Sequence, residues 1–310
     1  MKLGQGRTEA ELAIESAIAQ IGDWSGRSLS YERISAGITN LNWRIRLDDD
    51  QSQYFMKLPG AGTEIFIDRI VAHEAAVKAA TAGYAPRVVH YLEGQGIEVH
   101  EFLEGYRSCN VGDLLDDNIR RNIVLAYKAI HETQTLSLTL TGFDQVEQRL
   151  ALARQHGARL PRDMDHLLWH CSRARQAIEA SGMPLSACFN DSYVTNYMVD
   201  AQQNVKLIDW EYASNNDPYW DLALFAFEIF SNADEMGELI EIHDGRLTRE
   251  AEARVTLYGG VVGIAWGIWA ALQARISTIQ FDYAKYSELL FLRARHLISQ
   301  PAWDDALVKV

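Results

Sequence analysis

The 310-residue chain has few cysteines, three in all, and few basic side chains, 29 Lys and Arg against 42 Asp and Glu. Cys109, Cys171 and Cys188 are scattered and form no CxxC pair. Neither a disulfide framework nor a zinc site is indicated, and a reducing cytoplasm is expected. The formal charge of -13 disfavours nucleic acid as the main partner, because phosphate contacts need clustered Lys and Arg. It suits a cationic small substrate, though acidity also serves solubility. A basic-then-apolar signal pattern is missing from the N-terminus. Thr8 and Glu11 instead predict a capping box that opens an amphipathic helix through about Ile21. The longest uncharged apolar run, Leu257 to Leu272, is shorter than the ~20 residues that span a bilayer. A buried helix is expected there, and no membrane insertion. No internal repeat or low-complexity segment stands out.

Apolar residues make up 48% of the chain and charged residues 23%, an ordinary globular balance. The first third is strand-rich. SLSYERI, WRIRL and YFMKL predict three strands, a helix follows from about Ile67 to Ala82, and VVHYL and IEVHEFL form a hairpin across Gly94-Gln95-Gly96. Helical periodicity then dominates over 119–136, 163–181, 219–237 and 251–297, with NYMV and VKLID as a small hairpin between. This order predicts an α+β chain of two lobes, 1–103 and 104–310, with the active site in the cleft between them.

The most informative stretch reads ACFNDSYVTNYMV and then VKLIDWEYASNNDPYWDL. Asp191, Asn196 and Asp209 follow one another at intervals of five and thirteen. Two acids and an amide at this spacing suit metal-assisted phosphoryl transfer. Asp191 would orient a substrate hydroxyl and take its proton. Asn196 and Asp209 would hold Mg²⁺ through oxygen ligands, with Glu211 serving a second metal or a bound water. Asp221 opens a helix as DLALFAFE and would cap it and tie it to the catalytic loop. On the nucleotide side, SAGITNLN lies between two strands, which argues against a Rossmann or Walker fingerprint. Gly37, Thr39, Asn40 and Asn42 could fold over ATP phosphates, and the same residues also make an ordinary hairpin turn. Lys57 ends a strand and could bind phosphate, with Glu74 on the following helix as its partner. Glu74 also has Lys78 at i+4, which makes it a surface helix pair on the simpler reading. Backbone between Glu101 and Leu103 would connect the lobes and receive adenine. His131, in YKAIHETQ, reads as a helix-packing histidine.

Taken together these motifs resemble the choline/ethanolamine kinase family, LicA-like members included, within the protein-kinase-like fold that also holds the aminoglycoside phosphotransferases. GITNLN, FNDSYVTN, IDWEYASNNDPYWD and WGIWAALQARIST followed by FDYAKY carry the resemblance, which runs from about residue 30 to 297. It implies a two-lobed protein-kinase-like fold, ATP and Mg²⁺ as cofactors, and a small choline-like alcohol as partner; the sequence leaves monomer or homodimer open. It further implies that Tyr212, Trp266, Trp269 and Tyr286 form an aromatic box around a quaternary ammonium, with Glu228 adding opposite charge. Cation–π attraction makes that box physically sound, at ~0.5–2 kcal/mol per contact. By spacing alone, Trp266 and Trp269 read as core residues of one helix face. One departure stands out: Phe189 occupies the position where the family has a His that supports the catalytic loop. Reduced or retuned catalysis is the expectation, and a binding-only kinase-like protein is the competing one.

Overall fold

The computed structural model describes residues 1–34, 40–60, 65–277 and 279–310. Its N-terminal part is an antiparallel sheet. Strands β1 (Leu29–Ile34), β2 (Leu41–Leu47), β3 (Gln53–Leu58), β4 (Val88–Leu92) and β5 (Ile97–Glu101) lie in the order β1-β2-β3-β5-β4. Helix α1 (Glu9–Ile18) opens with the expected capping box between Thr8 and Glu11. It buries Ile14, Ala17 and Ile18 against Trp43, Ile45, Leu47, Met56 and Leu58 of the sheet. Alternation along a strand sends Lys57, between Met56 and Leu58, to the opposite face. There it stands directly across from Glu98 of β5.

Helix α2 (Arg69–Thr81) connects β3 to β4 and is capped by Asp68, which accepts from the amides of Ile70 and Val71. Val71, Ala75, Ala76 and Ala79 join the apolar cluster of the helical part rather than that of the sheet. That part begins with β6 (Arg107–Ser108), α3 (Asp117–His131), α4 (Gly142–Gln155) and α5 (Met164–Ser181). Four short strands follow: β7 (Ser186–Cys188), β8 (Tyr197–Val199), β9 (Val205–Leu207) and β10 (Ser214–Asn216). β8 and β9 form the predicted hairpin, and β7 pairs with β10. Both pairings hold the two acid-bearing loops side by side.

The remaining helices are α6 (Pro218–Glu228), α7 (Ala233–Asp244), α8 (Arg249–Ile276), α9 (Tyr283–Ile298) and α10 (Pro301–Lys309). The periodic stretch 219–237 is two helices, not one. Phe230 takes a left-handed φ of 57°, and Asn232 starts α7 with its own capping box to Glu235. By length and composition α8 could cross a membrane, but 83% of its most apolar 18-residue window is buried inside the protein. It is the central helix of the C-terminal part. Gly263 and Gly267 let α9 approach closely: a Cβ on Gly263 would lie 2.9 Å from the Ala294 Cβ, and one on Gly267 2.8 Å from the Phe291 ring. Ile264, Ile268 and Leu272 are fully buried, each contributing roughly 1.5–3 kcal/mol. This packing fixes the direction in which Trp266 and Trp269 project.

Candidate active site

The loop after β7 carries Phe189, Asn190 and Asp191. Asn190 has φ 62° and, in the second loop, Asp209 has φ 67°. Asn and Asp tolerate this left-handed region better than most residues; the turn at Asp209 aims its side chain into the cavity, and the one at Asn190 buries its amide against the second loop. Asp221 of α6 is completely buried and holds the first loop. It accepts from the Phe189 amide at 2.8 Å and the Asn190 amide at 2.7 Å, and lies 3.0 Å from His131 Nε2. Asn190 in turn donates to the Tyr212 carbonyl at 3.0 Å and to Ser214 Oγ at 2.8 Å. The two acid-bearing loops are therefore cross-linked. The tie expected of Asp221 is present, but the cap of α6 is Asp217, which accepts from the Tyr219 amide.

Phe189 is buried among apolar rings, edge-on to Trp210 with centroids 4.7 Å apart and 6.3 Å from Tyr127. The loop is held at its backbone, where Asp221 accepts from the Phe189 and Asn190 amides. His131 packs in the interior as expected and supports the loop through Asp221.

The deeper end of the cleft is built from charge. Lys57, 6% exposed, has its Nζ 3.3 Å from Asp209 Oδ1, 3.4 Å from Glu211 Oε1 and 3.8 Å from Glu98 Oε2. Despite burial these acids hold the lysine above its usual range. The expected Lys57–Glu74 pair does not form. Glu74 bonds Lys78 at 2.7 Å and the Ser137 amide and hydroxyl at 2.9 and 2.7 Å. Its face of α2 turns away from the sheet, and the preceding residue, about 100° round the helix, turns toward it. That residue is His73, whose Nδ1 lies 3.1 Å from Glu98 and whose ring stacks on Tyr91. Helix α2 thus reaches Lys57 through a histidine and a strand glutamate. His100 also touches Glu98, at 3.2 Å. Despite burial, contacts from His100, His73 and Lys57 hold Glu98 far below the normal carboxylate range.

Glu211 Oε1 accepts from Asn40 at 2.9 Å and pairs with Arg69 and Lys57, joining the two lobes. Despite burial, Lys57 and Arg69 keep Glu211 below the usual range. Asp209 is pushed up to about 6 by burial and by Glu211. Asp191 is pushed well up by burial and then by Asp209 and Glu211, with Arg149 opposing. Asn196 Nδ2 donates to Asp191 Oδ2 at 3.0 Å, which leaves its carbonyl oxygen as the ligand atom. These residues fit Mg²⁺: the donors are all oxygens, and their mutual repulsion is relieved by a divalent cation. The fit is better for Asn196 and Asp209 than for Glu211, whose Oε1 is already engaged.

Asp191, Asn196, Asp209 and Glu211 line one cavity of about 240 Å³ together with Tyr212, Glu228, Trp266, Trp269 and Tyr286. Trp266 and Trp269 lie 5.4 Å apart, Tyr212 is 5.3 Å from Trp266, and Trp269 Nε1 donates to the Tyr212 hydroxyl at 2.9 Å. Both tryptophans are core and cavity at once: Trp269 is 5% exposed, yet it lines the space. Glu228 ends α6 and is pushed above the usual range by burial. Tyr193, Phe281 and Tyr283 also line the cavity and were not singled out from sequence. Phe281 and Tyr283 sit in FDYAKY, whose repeated aromatics were the readable signal. Of the nucleotide-side residues, Glu101 ends β5 and accepts from the Arg87 amide, and Leu103 follows it toward β6. Asn40 is placed on Glu211, while Gly37 and Thr39 lie outside the described residues.

The profile of the phosphotransferase enzyme family matches residues 30–258. The chain belongs to that family. It is 23% identical to a probable ethanolamine kinase of Arabidopsis thaliana over 93% of this chain and 83% of the relative. A choline/ethanolamine kinase family protein from Mesorhizobium loti superposes with a TM-score of 0.82 at 24% identity, covering 97% and 98% of the two chains. The choline kinase LicA from Streptococcus pneumoniae superposes at 0.78 with 20% identity, covering 94% and 99%. The fold is the two-lobed protein-kinase-like one, and the resemblance to choline and ethanolamine kinases stands.

Proposed function

We propose that this phosphotransferase moves the γ-phosphoryl group of ATP onto the hydroxyl of a small cationic alcohol, with choline first and ethanolamine next. Residues 1–103 act as the nucleotide-binding part and 104–310 as the catalytic and acceptor part. The observation that carries the reading is the single cavity in which the acids and the aromatic residues meet. Asp191 orients the acceptor hydroxyl and receives its proton as the oxygen bonds to phosphorus and ADP leaves. Asn196 holds Asp191 in place. Lys57 sets a fixed positive charge where phosphate oxygens gather. Asn196 and Asp209 would hold Mg²⁺, which neutralises charge between the phosphates when bound. At the other end, aromatic faces and Glu228 receive the ammonium, which suits a trimethylammonium group without N–H donors.

A binding-only protein is the second reading, and its ground was Phe189. The amide contacts to Asp221 weaken that ground. The cytoplasm remains the assigned compartment, in keeping with three free, buried cysteines. A coupled ADP assay across choline, ethanolamine and an aminoglycoside tests the substrate. The highest kcat/KM belongs to choline if the reading holds, and an aminoglycoside maximum would overturn it.

A further inference from the structure

Arg149 of α4 is 2% exposed, and no hydrogen bond or ion pair joins it to another described residue. A buried cation without a direct partner is costly, and Asp191 compensates it only through space, so its position calls for a further interaction. Its guanidinium lies 4.3 Å over the Trp266 ring and 5.6 Å from the Tyr212 ring. Both rings line the 240 Å³ cavity, and Arg149 does not. It borders instead a separate void of about 20 Å³, room for roughly one water, shared with Gln145, Tyr212 and the acids Asp68 and Glu211, neither of which pairs with it directly. The charge therefore stands behind the aromatic wall, on the protein side.

Resting on the functional reading above, we propose that Arg149 is a specificity-determining residue that fixes which way a cationic alcohol lies in the pocket. A ring attracts a cation through the negative potential of its face, and Arg149 already draws on that potential at Trp266 and Tyr212. A second cation on these rings would also meet the first one's charge across the wall. The ammonium is therefore turned away from this wall, toward Glu228, Tyr193 and Tyr286. Arg293 stands behind that other end, 3.6 Å over Phe227, where Glu228 faces the cavity and offsets it; on the Arg149 side the corresponding acid, Asp191, is held by Asn196 and given to the acceptor hydroxyl. With the head group held at the Glu228 end, the hydroxyl is left to face Asp191. Without Arg149 the wall would offer a second seat for the ammonium and a backward, unreactive pose.

The test compares choline with its uncharged isostere 3,3-dimethylbutan-1-ol, by calorimetric dissociation constant and by kcat. Arg149→Met is expected to tighten choline binding about three- to tenfold, the scale of one cation–π contact, while lowering kcat for choline. Binding of the neutral alcohol stays unchanged, and Arg149→Lys keeps the wild-type preference. Equal shifts for both alcohols, or none in a folded variant, overturn the inference. If Arg149→Met fails to fold, Arg149→Gln gives the same comparison. Wild-type protein that binds neither alcohol would sink the functional reading itself. Wild-type binding of choline with no change in the variant sinks only the role of Arg149.

Discussion

The two ends of the cavity are built by different physics. At the Asp209 end, Lys57, Glu98, Glu211, Arg69 and Asn40 meet through ion pairs and hydrogen bonds drawn from both parts of the chain. At the acceptor end, neighbouring rings from α8, α9 and the second loop stand 5.3 to 5.9 Å apart, with Glu228 as the carboxylate among them. A charged end fixes a charged ligand by position and loses much when one partner is removed. An aromatic end sums small attractions and tolerates single losses better. On the proposed function, substrate choice should be softer than phosphate placement, in keeping with relatives that include a probable ethanolamine kinase and a probable choline kinase.

The contrast is sharpest at Glu98. Glu98→Gln should raise the KM for ATP about tenfold, the effect of removing one member of the buried charge cluster around Lys57, with the KM for choline unchanged. Glu74→Gln is the control and should leave both constants alone. If Glu74 rather than Glu98 controls the ATP constant, Glu98 is not the acid that positions Lys57. At the opposite end, Trp269→Ala should raise the KM for choline about fivefold and spare that for ATP. Equal change in both would return Trp269 to a purely structural role.

Glu228 adds a smaller, pH-dependent difference between the ends. Burial raises its pKa, so on acidification it loses its charge earlier than an exposed glutamate would. Choline keeps its charge at every pH. Its KM should therefore rise, about threefold, as pH falls through the raised value, the size of one partly exposed charge pair. Glu228→Gln should give a flat profile with the higher KM throughout. The smallest catalytic effect is expected at Phe189. Phe189→His buries a polar ring between Trp210 and Tyr127 and should cost about 1–3 kcal/mol of stability without raising turnover. A gain in turnover would mean that the amide grip of Asp221 is insufficient.

What could be read beforehand was local. The strands of the N-terminal sheet follow from alternation, and Asp191, Asn196 and Asp209 from spacing within one short stretch. Lys57 was legible as a strand lysine, but its partner depends on the register that sets Glu98 opposite it, which no local pattern encodes. The helix acid that looked like that partner points elsewhere because His73 occupies the sheet-facing side of α2. Helix α4 carries a regular apolar stripe, Phe143, Val146, Leu150 and Ala153, that was legible at helical spacing; the burial of Gln145 and Arg149 beside it was not. The dual standing of Trp269, packed yet lining the cavity, also needed the close approach of α9 to α8 to become visible.

The most direct measurement is mass-spectrometric detection of phosphorylated choline or ethanolamine after incubation with Mg·ATP, wild type beside Asp191→Asn. The account predicts product from the wild type and a fall of about a thousandfold in the variant, whose melting temperature stays near that of the wild type. Equal product from both proteins, or none from either, would contradict it.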